Sequence, residues 1–178
     1  MQRVLEEAWH LSYPFLYEDG GAIYMIPESS SNRTVELYRA DPFPHRWVKE
    51  ATLISGVELS DATIVRRGEK LWMFGATRDG SGSYSDTLSI FSAPRLTGPW
   101  HEHGGNPVLI DQRAARPAGN FFHREGKLWR PVQDCARGYG TGVGLAEVLR
   151  LDDNGFEQRV HTVLRTPSRV ARGSACTR

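Results

Sequence analysis

The feature that most constrains this chain is a hairpin that returns twice. Residues His10–Ser29 read HLSYPFLYEDGGAIYMIPES: an apolar run, an acidic Gly-Gly turn, a second apolar run, and polar residues at both open ends. The design recurs over Ser60–Gly75 around the turn Arg67-Gly68-Glu69, and over Arg116–Asp134 around Arg124-Glu125-Gly126. Its anchors are Tyr24, Trp72 and Trp129, each preceded by Ile or Leu, at spacings of 48 and 57 residues. Strand-rich units repeating every 40 to 50 residues or so are the signature of propeller blades.

The remainder of each unit predicts two more strands. After the first hairpin come Thr34–Arg39, a turn at Asp41–His45, and Trp47–Ile54. After the second come Thr87–Ser92, a turn at Pro94–Pro99, and Trp100–His103. After the third come Val143–Val148, the turn Asp152–Gly155, and Phe156–Val160. The inner strands are the more apolar, and the outer ones alternate as half-exposed strands do. No stretch of ten residues shows helical periodicity free of Gly or Pro. The expected fold is all-β, a propeller of about three full four-stranded blades. A closed ring needs about four or more, so the propeller is expected to be incomplete. Met1–Trp9 is long enough for two strands or so of a preceding blade. Residues 1–165 are therefore read as a partial propeller domain. Residues 166–178 are read as an unpatterned basic tail, since Arg165–Arg178 holds four Arg and no acid.

Composition narrows the function classes. The 178 residues carry a net charge of +1, which gives no general attraction to nucleic acid or to an anionic membrane. No apolar run approaches the ~20 residues of a membrane-spanning helix. Glu6 and Glu7 fall where a signal peptide would be apolar, which points to a cytoplasmic chain. Two cysteines, Cys135 and Cys176, make neither a disulfide framework nor a zinc motif, and are expected as free thiols.

In a hairpin the start of the first strand lies beside the end of the second. The polar ends of successive blades should then converge on one rim of the central channel. That predicts a site built from His10, Tyr13, Glu28, Asp61, Arg78, Arg116, Gln133 and Asp134. Carboxylates accept hydrogen bonds from sugar hydroxyls, and a pair of them can act as acid and base or as acid and nucleophile. An Arg beside a carboxylate keeps it ionised, whereas a buried carboxyl holds its proton. A concave mouth lined by convergent polar groups is the default expectation for a binding site; the alternative is that these groups satisfy backbone groups at blade junctions.

Other signals are weaker. Gly138–Gly144 is Gly-rich, but no helix follows to carry a phosphate, so it reads as a flexible loop. His101-Glu102-His103 places two imidazoles on one strand face, expected as a solvated outer face because no third metal ligand accompanies them. Ser29–Ser31 and Ser81–Ser85 have loop compositions and are candidate lids over the mouth. No cofactor or metal site is expected.

Five stretches together resemble a known family: Tyr13–Ser29, Asn32–Trp47, Asp61–Phe74, Arg116–Phe122 and Arg130–Gly140. They are similar to the propeller domain related to the N-terminal region of plant glucosamine inositolphosphorylceramide transferase. Similar bacterial domains occur alone or beside formyltransferase-like or glycosyltransferase modules. The resemblance implies the five-bladed architecture of the arabinanase, levansucrase and invertase group, which includes family-43 glycoside hydrolases. It also implies a blade before residue 10 and further chain after residue 163. Missing blades would come from another chain or from another part of a longer protein. In the hydrolases of this fold, carboxylates at blade starts carry the chemistry. Here Asp61 fits, but Tyr13 and Ala118 stand at the matching positions of the other hairpins.

Three readings follow. The first is a carbohydrate-recognition or accessory domain of a sugar- or formyl-transfer system. In it Glu28, Asp61 and Asp134 bind hydroxyls of a small carbohydrate or glycoconjugate, and Arg116 holds a carboxylate or phosphate on the ligand. The second is a glycoside hydrolase with Asp61 and either Glu28 or Asp134 as the carboxylate pair. The third is a structural propeller fragment without a ligand.

Overall fold

The computed structural model describes residues 3–78 and 83–165. It is built from three antiparallel sheets, each a blade. The first blade runs in the order β1 (Ser12–Asp19), β2 (Ala22–Glu28), β3 (Thr34–Ala40) and β4 (Trp47–Ser55). The second contains β5 (Leu59–Arg67), β6 (Lys70–Thr77), β7 (Thr87–Ala93) and β8 (His101–Glu102), with β9 (Leu109–Ile110) also pairing β7. The third contains β10 (Phe122–Arg124), β11 (Lys127–Asp134), β12 (Gly142–Asp152) and β13 (Gly155–Arg165). Each predicted turn joins the strands it was expected to join. Gly20, Gly21, Gly68 and Gly126 all adopt the positive φ that these tight corners require.

Neighbouring blades are held together by apolar faces. Phe15, Ile26, Val35 and Leu37 of the first blade pack on Ala62, Ile64, Leu71 and Met73 of the second. On its other face the second blade presents Val65, Trp72, Phe74, Leu88 and Ile90 to Leu128, Val148 and Leu151 of the third. Phe74 is the centre of that contact, with Phe121 at 4.8 Å and Phe156 at 5.4 Å between ring centroids. By register, Trp129 and Phe122 of the third blade correspond to Trp72 and Val65 of the second. Phe122 is exposed, so this repeated face is open to solvent in the third blade.

Four expectations need correction. Residues 3–11 contain no strand, so no part of a preceding blade is formed there; instead Glu7 accepts a 2.8 Å hydrogen bond from the Tyr38 hydroxyl. The outer strand of the second blade is only two residues long at His101–Glu102, because the Gly104-Gly105 turn ends it. His103 is buried rather than solvated: its Nε2 lies 3.0 Å from the Asp152 carbonyl and its Nδ1 accepts from the Gly105 amide. The third hairpin begins its ladder late. Residues 116–121 follow β11 through isolated contacts, Gln133 N–H to the Arg116 carbonyl at 2.9 Å and Ala118 N–H to the Pro131 carbonyl at 3.1 Å. Pro117 and Pro131 withhold ladder donors here, which explains the broken pairing. Cys135 is a buried free thiol; Cys176 and the basic tail lie outside the described residues.

Candidate functional site

The polar hairpin ends meet by means of two matching β-bulges. In the first blade Ser12 pairs Glu28 and Phe15 pairs Ile26, so Tyr13 and Pro14 stand opposite the single residue Pro27. In the second blade Ser60 pairs Ala76 and Thr63 pairs Phe74, so Asp61 and Ala62 stand opposite Gly75. The first residue of each bulge has positive φ, 41° at Tyr13 and 55° at Asp61. Left-handed backbone is uncommon outside Gly, and a bulge of this kind re-aims the side chain it carries. Both side chains are thereby directed to contacts between blades.

Two tiers of contact result, each drawing on all three blades. In one, the Arg116 Nε donates to Asp61 Oδ2 at 2.6 Å. The Glu28 carboxyl is within hydrogen-bonding reach of Asp61 and accepts from the Ser30 hydroxyl at 2.9 Å. In the other, the Tyr13 hydroxyl lies 3.0 Å from the Thr63 hydroxyl and is reached by the Gly119 amide. Burial pushes the Asp61 carboxyl above the ordinary carboxylate range; Glu28 adds to that rise and Arg116 opposes it. Burial likewise raises the Tyr13 phenol. Beside these tiers an open recess of about 330 Å³ is lined by Tyr13, Pro14, Phe15, Leu16, Gly119 and Asn120. It separates the innermost segments of the first and third blades.

The other expected residues are placed differently. His10 precedes β1 and is exposed. Arg78 belongs to a neighbouring cluster centred on Glu58, lying 4.0 Å from that carboxylate and over the Tyr84 ring. Arg33 and the Tyr84 hydroxyl also reach Glu58, at 3.1 and 2.8 Å. Gln133 donates to the Pro117 carbonyl at 3.2 Å, and so supports the backbone that carries Arg116. Asp134 is buried at the end of β11, where its carboxylate accepts from the Ala136 amide at 3.1 Å and its carbonyl from the Thr141 hydroxyl at 2.8 Å. Ser29 and Ser30 are buried, and Ser30 opens a 3-10 turn over Ser30–Asn32, so this stretch is no lid. Part of the second serine stretch lies outside the described residues.

Sequence reasoning missed Arg130. It is 1 % exposed and donates to the carbonyls of Ala114 and Ala115 and to Gln158 Oε1. Its guanidinium lies over the Phe74 ring, and its Nε has no partner among the described residues. Burial lowers its pKa, with Tyr13 opposing, yet a guanidinium stays charged at neutral pH. An Arg in mid-strand with the parity of Leu128 and Val132 was the available signal. Among the described residues no group of three or more His, Cys, Asp or Glu side chains could hold a metal ion.

A family model described as "Glucosamine inositolphosphorylceramide transferase 1, N-terminal" matches residues 1–174. Glucosamine inositolphosphorylceramide transferase 1 of Oryza sativa subsp. japonica is 37% identical over 158 residues, covering 86% of this chain and 21% of the relative. The Arabidopsis thaliana protein of the same name is 36% identical over 157 residues, 86% of this chain and 20% of its own. The chain thus spans about a fifth of the length of the curated relatives it matches. Among solved structures, an exo-β-1,3-galactanase from Phanerochaete chrysosporium superposes with a TM-score of 0.63 at 12% identity, covering 92% of this chain and 42% of that one. A GH43_1 enzyme from Xanthomonas citri gives 0.65 at 12% identity, covering 93% and 61%. The fold is that of the five-bladed GH43 propellers, matched in part by the three blades.

Proposed function

We propose a carbohydrate-recognition role for this chain, which belongs to the glucosamine inositolphosphorylceramide transferase 1 N-terminal family. It acts as an accessory domain of a sugar-transfer system and takes its ligand at the axial mouth. One observation carries the reading: Glu28, Asp61 and Arg116 come from three different blades and meet at the polar ends of the hairpins. The two carboxyls offer acceptors for sugar hydroxyls, and Arg116 fixes the orientation of Asp61. The nearby recess leaves space for a sugar ring. Because Asp61 already engages Arg116, the ligand favoured is neutral and hydroxyl-rich rather than a carboxylate or phosphate.

The hydrolase reading is the less supported. Glycosidase carboxyls stand about 5 to 9.5 Å apart, with the scissile bond between them. Asp61 is buried and held by Arg116 at 2.6 Å, and Glu28 is held by the Ser30 hydroxyl at 2.9 Å, so both carboxyls are already engaged rather than facing an open cleft. The test is a calorimetric or NMR titration with neutral mono- and disaccharides. Saturable binding is expected, weakened at least tenfold by Asp61→Asn or Glu28→Gln, with no release of free sugar. If neither substitution weakens binding, or nothing binds, the reading is wrong.

A further inference from the structure

We infer that Tyr139 is the stacking platform for the sugar ring at this mouth, and that the ligand is a pyranoside presenting a flat C–H face. The inference rests on the carbohydrate reading above and adds a residue that the hairpin argument did not supply. Tyr139 lies in the loop that joins β11 to β12, and 73% of its surface is open to solvent. One side of the ring is taken: the Arg116 guanidinium lies 5.0 Å from its centroid. That same guanidinium bonds Asp61 at 2.6 Å.

The loop is constructed to hold the ring there. The Thr141 hydroxyl donates to the carbonyls of Asp134 and Gly138, at 2.8 and 3.1 Å. The Gly138 amide closes a turn on the Cys135 carbonyl at 3.0 Å, and Asp134 caps the Ala136 amide. Gly138 and Gly140 flank the tyrosine with φ of 124° and 69°, which a side chain would resist. The Gly-rich stretch therefore works as a bracket for one aromatic side chain. Arg116 links that side chain to the carboxyls: its guanidinium is in contact with the ring and with Asp61 at once. A cation against one face of an aromatic leaves the other face free, and the axial C–H groups of a pyranose suit such a face. A pyranose on that free face has the tyrosine ring and the Arg116 guanidinium between it and Asp61, so the platform holds a sugar ring beside the position at which hydroxyls meet the carboxyls.

The experiment is an NMR titration of the full chain with methyl β-D-galactopyranoside and methyl β-D-glucopyranoside. It compares wild type, Tyr139→Ala, Tyr139→Phe and Asp61→Asn, with thermal unfolding of each. The expected result has three parts. Sugar ring protons shift upfield on wild type. Tyr139→Ala loses that shift and binds about tenfold or more weakly. Tyr139→Phe keeps both. If Tyr139→Ala binds and shifts like wild type while Asp61→Asn does not, the platform is refuted and the carbohydrate site stands. If Tyr139→Phe is as weak as Tyr139→Ala, the hydroxyl rather than the ring face is used and the platform is again refuted. If wild type binds neither sugar, the site and the platform fall together. Titrating each variant below its own unfolding temperature keeps a loss of binding from being read as a loss of fold.

Discussion

The Nε of Arg116 sits 2.6 Å from the carboxylate of Asp61, and the two residues are 55 positions apart in different blades. Their side chains are 11% and 5% exposed. A buried charge that loses its partner keeps its desolvation cost without the attraction that offset it. Arg116→Met should therefore destabilise the fold by about 3–5 kcal/mol, read as a lower midpoint in urea unfolding. Asp61→Asn strands the buried guanidinium in the same way and should also destabilise the fold. A negligible cost for both variants would mean that the pair is not the buried electrostatic link described.

The pH dependence of the same pair has a definite sign. The folded-state pKa of Asp61 is raised above its unfolded value, by burial first and by Glu28 in addition. Between the two pKa values the native state binds more protons than the unfolded state, so this group's contribution to stability falls as pH rises through that window. Above both pKa values the burial cost is present in full; below both it is relieved. Carboxyl-carbon NMR should show Asp61 titrating above the ordinary aspartate range, and Glu28→Gln should move it downward. An upward move would reverse the role given to Glu28.

The repeat equivalence of Trp72 and Trp129 gives a comparison within one molecule. Trp72 is 4% exposed and packed between the second and third blades. Trp129 lies on the open face, stacked on exposed Phe122 and edge-on to His161. Trp72→Ala creates a cavity and should cost about 3–5 kcal/mol. Trp129→Ala removes a partly solvated contact and should cost well under half of that. Calorimetry of both variants decides the matter. Similar losses would show that the third-blade face is covered in solution.

The blades were legible because the hairpin signal is local. Apolar alternation and a Gly-containing charged turn set each strand pair, and three copies made the period visible. The meeting of Glu28, Asp61 and Arg116 was legible for the same reason, since polar residues at hairpin ends must share a rim. Arg78 and Asp134 sit at such ends too, yet each is engaged elsewhere, by Glu58 and by the 134–141 loop. End position fixes the rim but not the direction of a side chain. Direction came from the bulges at Tyr13 and Asp61, which insert one residue and leave no compositional mark, since neither is Gly. Arg130 was hidden because most of its hydrogen bonds go to the backbone carbonyls of Ala114 and Ala115, which no spacing rule encodes.

Gly75 couples the bulge to the core. It stands opposite Asp61 and Ala62, and a Cβ there would come 2.5 Å from Leu59, which is itself 1% exposed. Leu59 Cγ as well as its methyl groups would be struck, so turning the end of the side chain does not relieve the clash. Gly75→Ala must therefore push β5 away from β6 at the residue pair that sets the direction of Asp61. Overpacking of this size costs about 1–3 kcal/mol. The more informative effect is on the site. A shifted bulge should expose Asp61 and lower its titration midpoint toward its unfolded value, because burial is the main cause of its rise. Sugar affinity should fall in the same variant. A Gly75→Ala protein that is destabilised but keeps the wild-type Asp61 midpoint would show that the aspartate is aimed by something other than this bulge.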